Sequence, residues 1–230
     1  MTSTSQPTAL ITGAGRGLGL ALARSLLALG WRVVADARRT AHLADALPGA
    51  LVVPGDVTDP VHRDALSSAV GGLGRLDLLV NNASELGPSP LPRLADAPLA
   101  ALRRVQETNV VAPLALIQAF LPLLRASGGT VLNISSDAAV EAYEGWGVYG
   151  SSKAGLDLLT AVLAAEEPGL AVYSVDPGDM LTEMHQAAFP GEDISDRPRP
   201  ETVVPALLRL IETRPPSGRL RAADLTGASA

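Results

Sequence analysis

The chain has 230 residues, enough for one domain with a large buried core, and its 47% hydrophobic and 18% charged composition is that of a globular protein. The lack of cysteine excludes a disulfide framework and thiolate chemistry, and three scattered histidines (His42, His62, His185) argue against a metal site. A formal net charge of −6 argues against generic nucleic-acid binding.

The start, Met1 to Pro7, has neither the charged nor the apolar segment of a secretory signal, and no unbroken apolar run approaches the roughly 18 residues of a membrane span. A cytoplasmic protein without a membrane partner is expected. With aromatics at only 3%, the core must be built from Leu, Val and Ala.

Short apolar runs alternate with helical patterns along the chain. The strand-like runs are Ala9 to Thr12, Arg32 to Ala37, Leu51 to Pro54, Leu76 to Val80, Thr130 to Ser135, Ala171 to Val175 and, weakly, Leu220 to Ala222. Helical patterns lie near 17–29, 41–47, 60–72, 98–125, 148–166 and 201–213. Alternating β and α with strands of buried type predicts an α/β fold: a single doubly wound parallel β-sheet with helices on both faces. The segments 84–93 and 186–200, rich in Pro and Gly, read as long loops inside one domain spanning 1–230.

The first strand runs into Thr12-Gly13-Ala14-Gly15-Arg16-Gly17-Leu18-Gly19, after which an Ala/Leu helix begins. This strand–turn–helix context suits a phosphate-binding glycine turn, in which glycines allow close backbone approach and the helix N-terminus favours a pyrophosphate. The second strand ends Asp36-Ala37-Arg38-Arg39. An acid here bonds a ribose 2′-hydroxyl and an arginine accommodates a 2′-phosphate; both types occur, and Asp36 and Arg38 share a strand face. Arg16 can reach the same place, and two arginines near one ribose favour NADP.

After the third strand, Gly55-Asp56-Val57 offers Asp56 either as a cap for the next helix or as a partner for an adenine amino group. The fourth strand ends Asn81-Asn82-Ala83-Ser84, where a structural role is expected for Asn81. The long helical pattern 98–125 carries Asn109 shortly before Pro113, so a bend is expected beside a polar side chain that holds a water or satisfies the bend. The fifth strand ends at Ser135-Ser136-Asp137, and Tyr149 and Lys153 follow, four apart and therefore on one helix face. A phenol, a fixed cation beside it and a facing hydroxyl suit proton transfer to a carbonyl oxygen. Reading the sequence gives 17 arginines and one lysine, Lys153, and arginine is a poor substitute where a compact ammonium must sit under a phenol or bond two ribose hydroxyls. The sixth strand ends in a turn, Asp176-Pro177-Gly178, with Thr182 just beyond. Each feature lies at a strand's end or on a helix that follows one, and ligands of open α/β sheets bind at that edge.

Together these residues resemble the short-chain dehydrogenase/reductase family over Ala9 to about Thr182. The resemblance rests on Thr-Gly-x-x-x-Gly-x-Gly at 12–19, Asn-Asn-Ala at 81–83, Asn109, Asn-Ile-Ser-Ser at 133–136, Tyr-x-x-x-Lys at 149–153 and Pro-Gly-x-x-x-Thr at 177–182. It implies a Rossmann fold with Tyr149 as acid/base, Lys153 binding the nicotinamide ribose and lowering the Tyr149 pKa, Ser136 orienting substrate and Asn109 holding a relay water. It implies cofactor contacts from Gly13, Gly15, Arg16, Gly17, Leu18, Gly19, Arg38, Asp56, Val57, Asn82, Ala83, Tyr149, Lys153, Pro177, Gly178 and Thr182. Ala37 stands where NAD-preferring members are acidic, so NADP(H) is expected over NAD(H). Two departures stand out: Ser84 replaces the glycine of Asn-Asn-Ala-Gly, and the segment Gly218 to Ala230 matches loosely.

The expected activity is reversible hydride transfer between NADP(H) and a carbonyl or secondary alcohol, in a homodimer or homotetramer paired through 98–125 and 148–166. Loops 84–93, 139–148 and 179–200, with Tyr143, Trp146, Met180, Met184 and Phe189, would wall a pocket for a hydrophobic substrate, 179–200 being the substrate-binding loop. Two other readings share the motifs: an enzyme without net redox, such as an epimerase or dehydratase, and a non-catalytic NADP-binding sensor.

Overall fold

The computed structural model describes residues 6–40 and 43–225. Among them one parallel sheet of seven strands runs in the order β3-β2-β1-β4-β5-β6-β7. The strands are β1 (Thr8–Ile11), β2 (Arg32–Ala37), β3 (Leu51–Pro54), β4 (Leu78–Asn81), β5 (Thr130–Ile134), β6 (Ala171–Asp176) and β7 (Gly218–Arg221). The helices are α1 (Gly17–Ala28), α2 (Leu43–Ala46), α3 (Pro60–Leu73), α4 (Leu99–Gln106), α5 (Ala112–Ser127), α6 (Gly147–Glu166), α7 (Glu183–Ala188), α8 (Val204–Thr213) and α9 (Ala222–Leu225). The expected helix at 41–47 is seen as α2, its first two residues lying outside the described ones.

Alternation along each strand feeds two cores. Ala9 and Ile11 of β1, Val33 and Ala35 of β2 and Leu132 of β5 pack with Leu22 and Leu26 of α1 and Leu207 and Leu210 of α8. The intervening Leu10, Val34 and Val131 pack on the other face with Leu66 and Val70 of α3 and Leu116, Phe120 and Leu124 of α5. Each fully buried Leu or Phe contributes about 2 kcal/mol, so the short strands are held by these layers rather than by local propensity.

β1 lies between β2 and β4, with register Leu10↔Val34 on one side and Leu10↔Leu79 on the other. Chain direction across the sheet reverses here, and the connections leaving β1 and β4 diverge into a crevice at the strands' carboxyl ends.

The bend expected near Pro113 takes a definite form. α4 and α5 are joined by a π-helical turn over Glu107–Val111 that contains Asn109, and Pro113 falls in the first turn of α5. Proline has no N–H to give, and the wider turn absorbs the residue that a regular helix would have left unpaired there. The continuous helix Leu99–Ser127 has the length and apolar composition of a membrane span; one face of its second half packs on the sheet through Leu116, Phe120 and Leu124. The cap of α3 is Asp59, which accepts from the Val61 N–H at 2.9 Å, so Asp56 is not the cap.

Candidate active site

The glycine turn is built by crowding. A Cβ on Gly13 would lie 2.9 Å from the Ala83 Cα, and Gly13 itself has φ +64°. A Cβ on Gly19 would meet the Gly13 carbonyl oxygen at 2.7 Å, so α1 can start this close to β1 only without side chains. Thr12 and Asn82 lock the turn to β4: the Thr12 hydroxyl accepts from the Asn82 and Ala83 N–H groups at 3.0 Å each, and Asn82 Nδ2 donates to the Thr12 and Gly13 carbonyls at 2.9 and 3.2 Å. No side chain caps α1 and its first turn carries no acid, which leaves its N–H groups and dipole open to an anion. The turn opens into a groove of about 1070 Å³ along the carboxyl edge of the sheet. These residues fit a dinucleotide.

Asp36 is 2% exposed, and its carboxylate is spent inside the protein. Oδ1 accepts from the Gly13 N–H at 3.0 Å and Oδ2 pairs with His62 Nε2 of α3. Burial holds its pKa above the ordinary carboxylate value, with the Gly13 N–H and His62 opposing the rise. It is therefore committed to fold and turn, with both carboxylate oxygens already partnered. Arg38 is exposed beside the groove, 3.9 Å from Asp56, which folds back on Thr58 by accepting from its N–H at 2.9 Å and its hydroxyl at 2.8 Å. Burial opposes ionisation of Asp56, but the Thr58 hydrogen bonds and the Arg38 charge keep its carboxyl below the usual range. Arg16 is exposed too, and pairs with Glu183 of α7 across the groove.

Tyr149 and Lys153 stand one turn apart at the start of α6, both buried, with Lys153 Nζ 5.5 Å from the centre of the tyrosine ring. Lys153 Nζ donates to the Ile134 carbonyl at the end of β5, 2.8 Å away. Burial lowers the Lys153 pKa from 10.5 to about 8, with the Asp157 carboxylate opposing. Tyr149 shows no net lowering of the kind expected from Lys153. Burial pushes the phenol well above its ordinary value; the Ser84 hydroxyl draws it back, Asp137 and Asp176 push it up, and the Ser136 hydroxyl draws it back again.

Ser135 and Ser136 both border the groove, and Ser135 Oγ is buried there without a hydrogen-bond partner. Ser136 Oγ donates to Asp137 Oδ1 at 2.9 Å and accepts from the Ala138 N–H at 3.2 Å. Arg219 of β7 steadies this corner: its guanidinium donates to the Ser136 carbonyl at 3.0 Å and to Asp157 at 2.9 Å.

Among the residues expected in the site, Gly13, Gly15, Arg16, Gly17, Leu18, Arg38, Asp56, Val57, Asn82, Ala83, Ser136, Tyr149, Lys153, Pro177, Gly178 and Thr182 line the one groove. Leu18 and Val57 also belong to the buried core. Gly19 and Asn109 lie behind the groove wall, Gly19 for the packing reason above. The Asn109 carboxamide is filled by protein: Oδ1 accepts from the Glu85 N–H (2.8 Å) and the Ser84 hydroxyl (3.2 Å), and Nδ2 donates to the Glu85 carbonyl and Ser152 hydroxyl, both at 2.9 Å. That side chain has no capacity left for a water.

The apolar wall near Tyr149 comes from Leu86, Trp146, Met184 and Ala188, with Phe189 packed behind against Trp146. Met180 lines the groove as well. Tyr143 departs from expectation: it turns outward, donating to Glu141 Oε2 at 2.8 Å and Asp137 Oδ2 at 3.1 Å. Sequence reasoning missed Asp137, Arg219 and His62. Asp137 had a signal in its place beside Ser136, whereas the other two come from distant strands and helices.

Comparison with known proteins agrees with this fold. The profile of the short chain dehydrogenase family matches residues 7–193. L-xylulose reductase of Bos taurus is 35% identical over 79% of this chain and 75% of its own length. A short chain dehydrogenase from Pseudomonas syringae superposes with a TM-score of 0.88 at 31% identity, covering 96% of this chain and 97% of that one. One from Shigella flexneri, solved in complex with NADP, superposes with a TM-score of 0.86 at 27% identity over 94% of this chain and 97% of that one. The chain belongs to the short chain dehydrogenase family, oxidoreductases that bind a nicotinamide cofactor.

Proposed function

We propose that this protein is an NADP(H)-dependent oxidoreductase that reduces the carbonyl of a small apolar substrate, or oxidises the matching secondary alcohol, with Tyr149 as acid/base. The observation that carries the reading is the meeting of the Tyr149 phenol, the buried Lys153 ammonium and the Ser136 hydroxyl with the glycine turn in one groove. The nicotinamide, when bound, supplies or accepts a hydride at the substrate carbon. Tyr149 gives its proton to the substrate oxygen in reduction and takes it back in oxidation. Ser136 holds that oxygen, exchanging its Asp137 partner for the substrate. Lys153, fixed by the Ile134 carbonyl, places a cation beside the phenol and serves the ribose hydroxyls. The open end of α1 and residues Gly13, Gly15 and Gly17 would hold the pyrophosphate, and Asn82, Ala83, Pro177, Gly178 and Thr182 would hold the nicotinamide half. Asn109 acts on the site by anchoring residues 84 and 85.

Support for NADP over NAD comes from Asp36, whose carboxylate is occupied by Gly13 and His62, and from the exposed guanidinium of Arg38 beside the buried, uncharged Ala37. The apolar wall of Leu86, Trp146, Met184 and Ala188 supports a hydrophobic substrate, with 179–200 as the substrate-binding part of the domain. Exposed Leu99, Val111 and Leu114 on the 99–127 helix, and Leu158 and Val162 on α6, support a homodimer or homotetramer paired through these faces. A panel of aliphatic and aromatic ketones and alcohols, assayed by nicotinamide absorbance with NADPH and NADH in parallel, tests the reading. Turnover of an apolar ketone with NADPH is expected; product formation without any absorbance change would replace it with a non-redox reaction.

A further inference from the structure

Position 84 carries a hydroxyl where the resemblance led us to expect glycine, and the structure places that hydroxyl between two groups of the site. On one side Ser84 Oγ donates to Asn109 Oδ1 at 3.2 Å; on the other it lines the same groove as Tyr149, where its hydroxyl favours the ionised phenol. Asn109 in turn donates to Ser152 Oγ at 2.9 Å, and Ser152 donates to the Tyr149 carbonyl at 2.6 Å. The chain of bonds therefore runs from Ser84, which lines the groove with Tyr149, through Asn109 and Ser152 to the Tyr149 backbone carbonyl.

We propose that Ser84 is a positioning residue for the acid/base: its hydroxyl holds the phenol of Tyr149 and, once the proton has left, turns from Asn109 to donate to the phenolate. This rests on the reading of Tyr149 as acid/base. In reduction the Tyr149 O–H bond breaks and a substrate O–H bond forms, leaving the negative charge on the phenolate oxygen. Ser84 keeps its own proton throughout and only redirects it. The turn leaves no acceptor or donor stranded, because Asn109 Oδ1 still accepts from the Glu85 N–H at 2.8 Å. A hydrogen bond to a charged oxygen is roughly twice as strong as one between neutral groups, so the redirected proton favours the ionised phenol. Ser84 and Ser136 thus approach one oxygen from two loops, one following β4 and the other β5.

The test compares wild type with Ser84→Ala and Ser84→Thr in the full chain, each checked by thermal melting. The kinetic readout is the pH profile of kcat/KM for NADP⁺-dependent oxidation of a secondary alcohol, taken from cyclohexanol and phenylethanol, whichever turns over faster. Ser84→Ala is expected to move the midpoint of the acid limb up by about one pH unit, giving about a tenfold loss below it that recovers as pH rises. Ser84→Thr keeps the hydroxyl and restores the midpoint. A lowered plateau with an unmoved midpoint overturns the proposal. The second readout is independent of turnover: NMR of Cζ-labelled tyrosine, in which the Tyr149 signal, identified by its loss in Tyr149→Phe, shifts in Ser84→Ala and returns in Ser84→Thr. A fixed Tyr149 signal also overturns the proposal. Absence of turnover on either alcohol counts against the proposed function instead, and the Tyr149 signal then decides the role of Ser84.

Discussion

Asp36 and His62 are joined side chain to side chain beneath the glycine turn, both almost wholly out of water. The pair ties β2 to α3, and its carboxylate also holds the Gly13 N–H at 3.0 Å, so the shape of the turn depends on a histidine 26 residues beyond the acid. His62→Ala strands a buried carboxylate and is expected to cost about 3 kcal/mol in urea denaturation, with weaker NADPH binding as the turn loosens. Gly55 must stay small for the same reason, because a Cβ there would run into the His62 ring. Wild-type stability and affinity in His62→Ala would show that the pair is incidental.

Lys153 gives a pH dependence whose sign is fixed by burial. Its pKa is near 8 in the folded protein against 10.5 ordinarily, so between those values the unfolded chain binds the proton and the folded one does not. Stability contributed by this group therefore rises with pH from about 8 to 10.5; below 8 the folded state bears the full cost of a buried cation. Relative to Lys153→Met, wild type is expected to gain up to about 3 kcal/mol across that window, measured by urea denaturation at stepped pH. A difference that stays flat or falls with pH contradicts the burial argument.

Arg38 is the group on which the cofactor preference turns. Replacing it with leucine removes charge-assisted hydrogen bonds to a 2′-phosphate, and the NADPH Kd is expected to rise about 10- to 100-fold while the NADH Kd changes less than about threefold. Fluorescence titration of both nucleotides measures this. Equal losses for NADPH and NADH would place the role of Arg38 elsewhere.

The parts of this site that could be read from the sequence are those set by local periods. Tyr149 and Lys153 are four apart on one helix, and the glycines of 13–19 lie between a strand and a helix, so neighbours in sequence are neighbours in space. The parts that could not be read are long-range. Ser84 meets Asn109 across 25 residues, Asp36 meets His62 across 26, and Arg219 reaches the Ser136 carbonyl across 83. Arg219 comes from β7, whose register against β6 (Asp176↔Arg221) is a product of the whole sheet and leaves no local mark. The Tyr149 phenol shows the same limit: a lysine four residues away suggests a lowered pKa, whereas burial in the packed structure raises it.

The most direct measurement is NADPH oxidation by Tyr149→Phe, alongside NADPH binding followed by fluorescence, on a carbonyl substrate that wild type reduces. With the ring kept and only the proton-bearing oxygen removed, turnover is expected to fall at least about a hundredfold while the NADPH Kd stays within about threefold. Turnover within tenfold of wild type would show that the proton comes from another group and would remove Tyr149 from the centre of the mechanism.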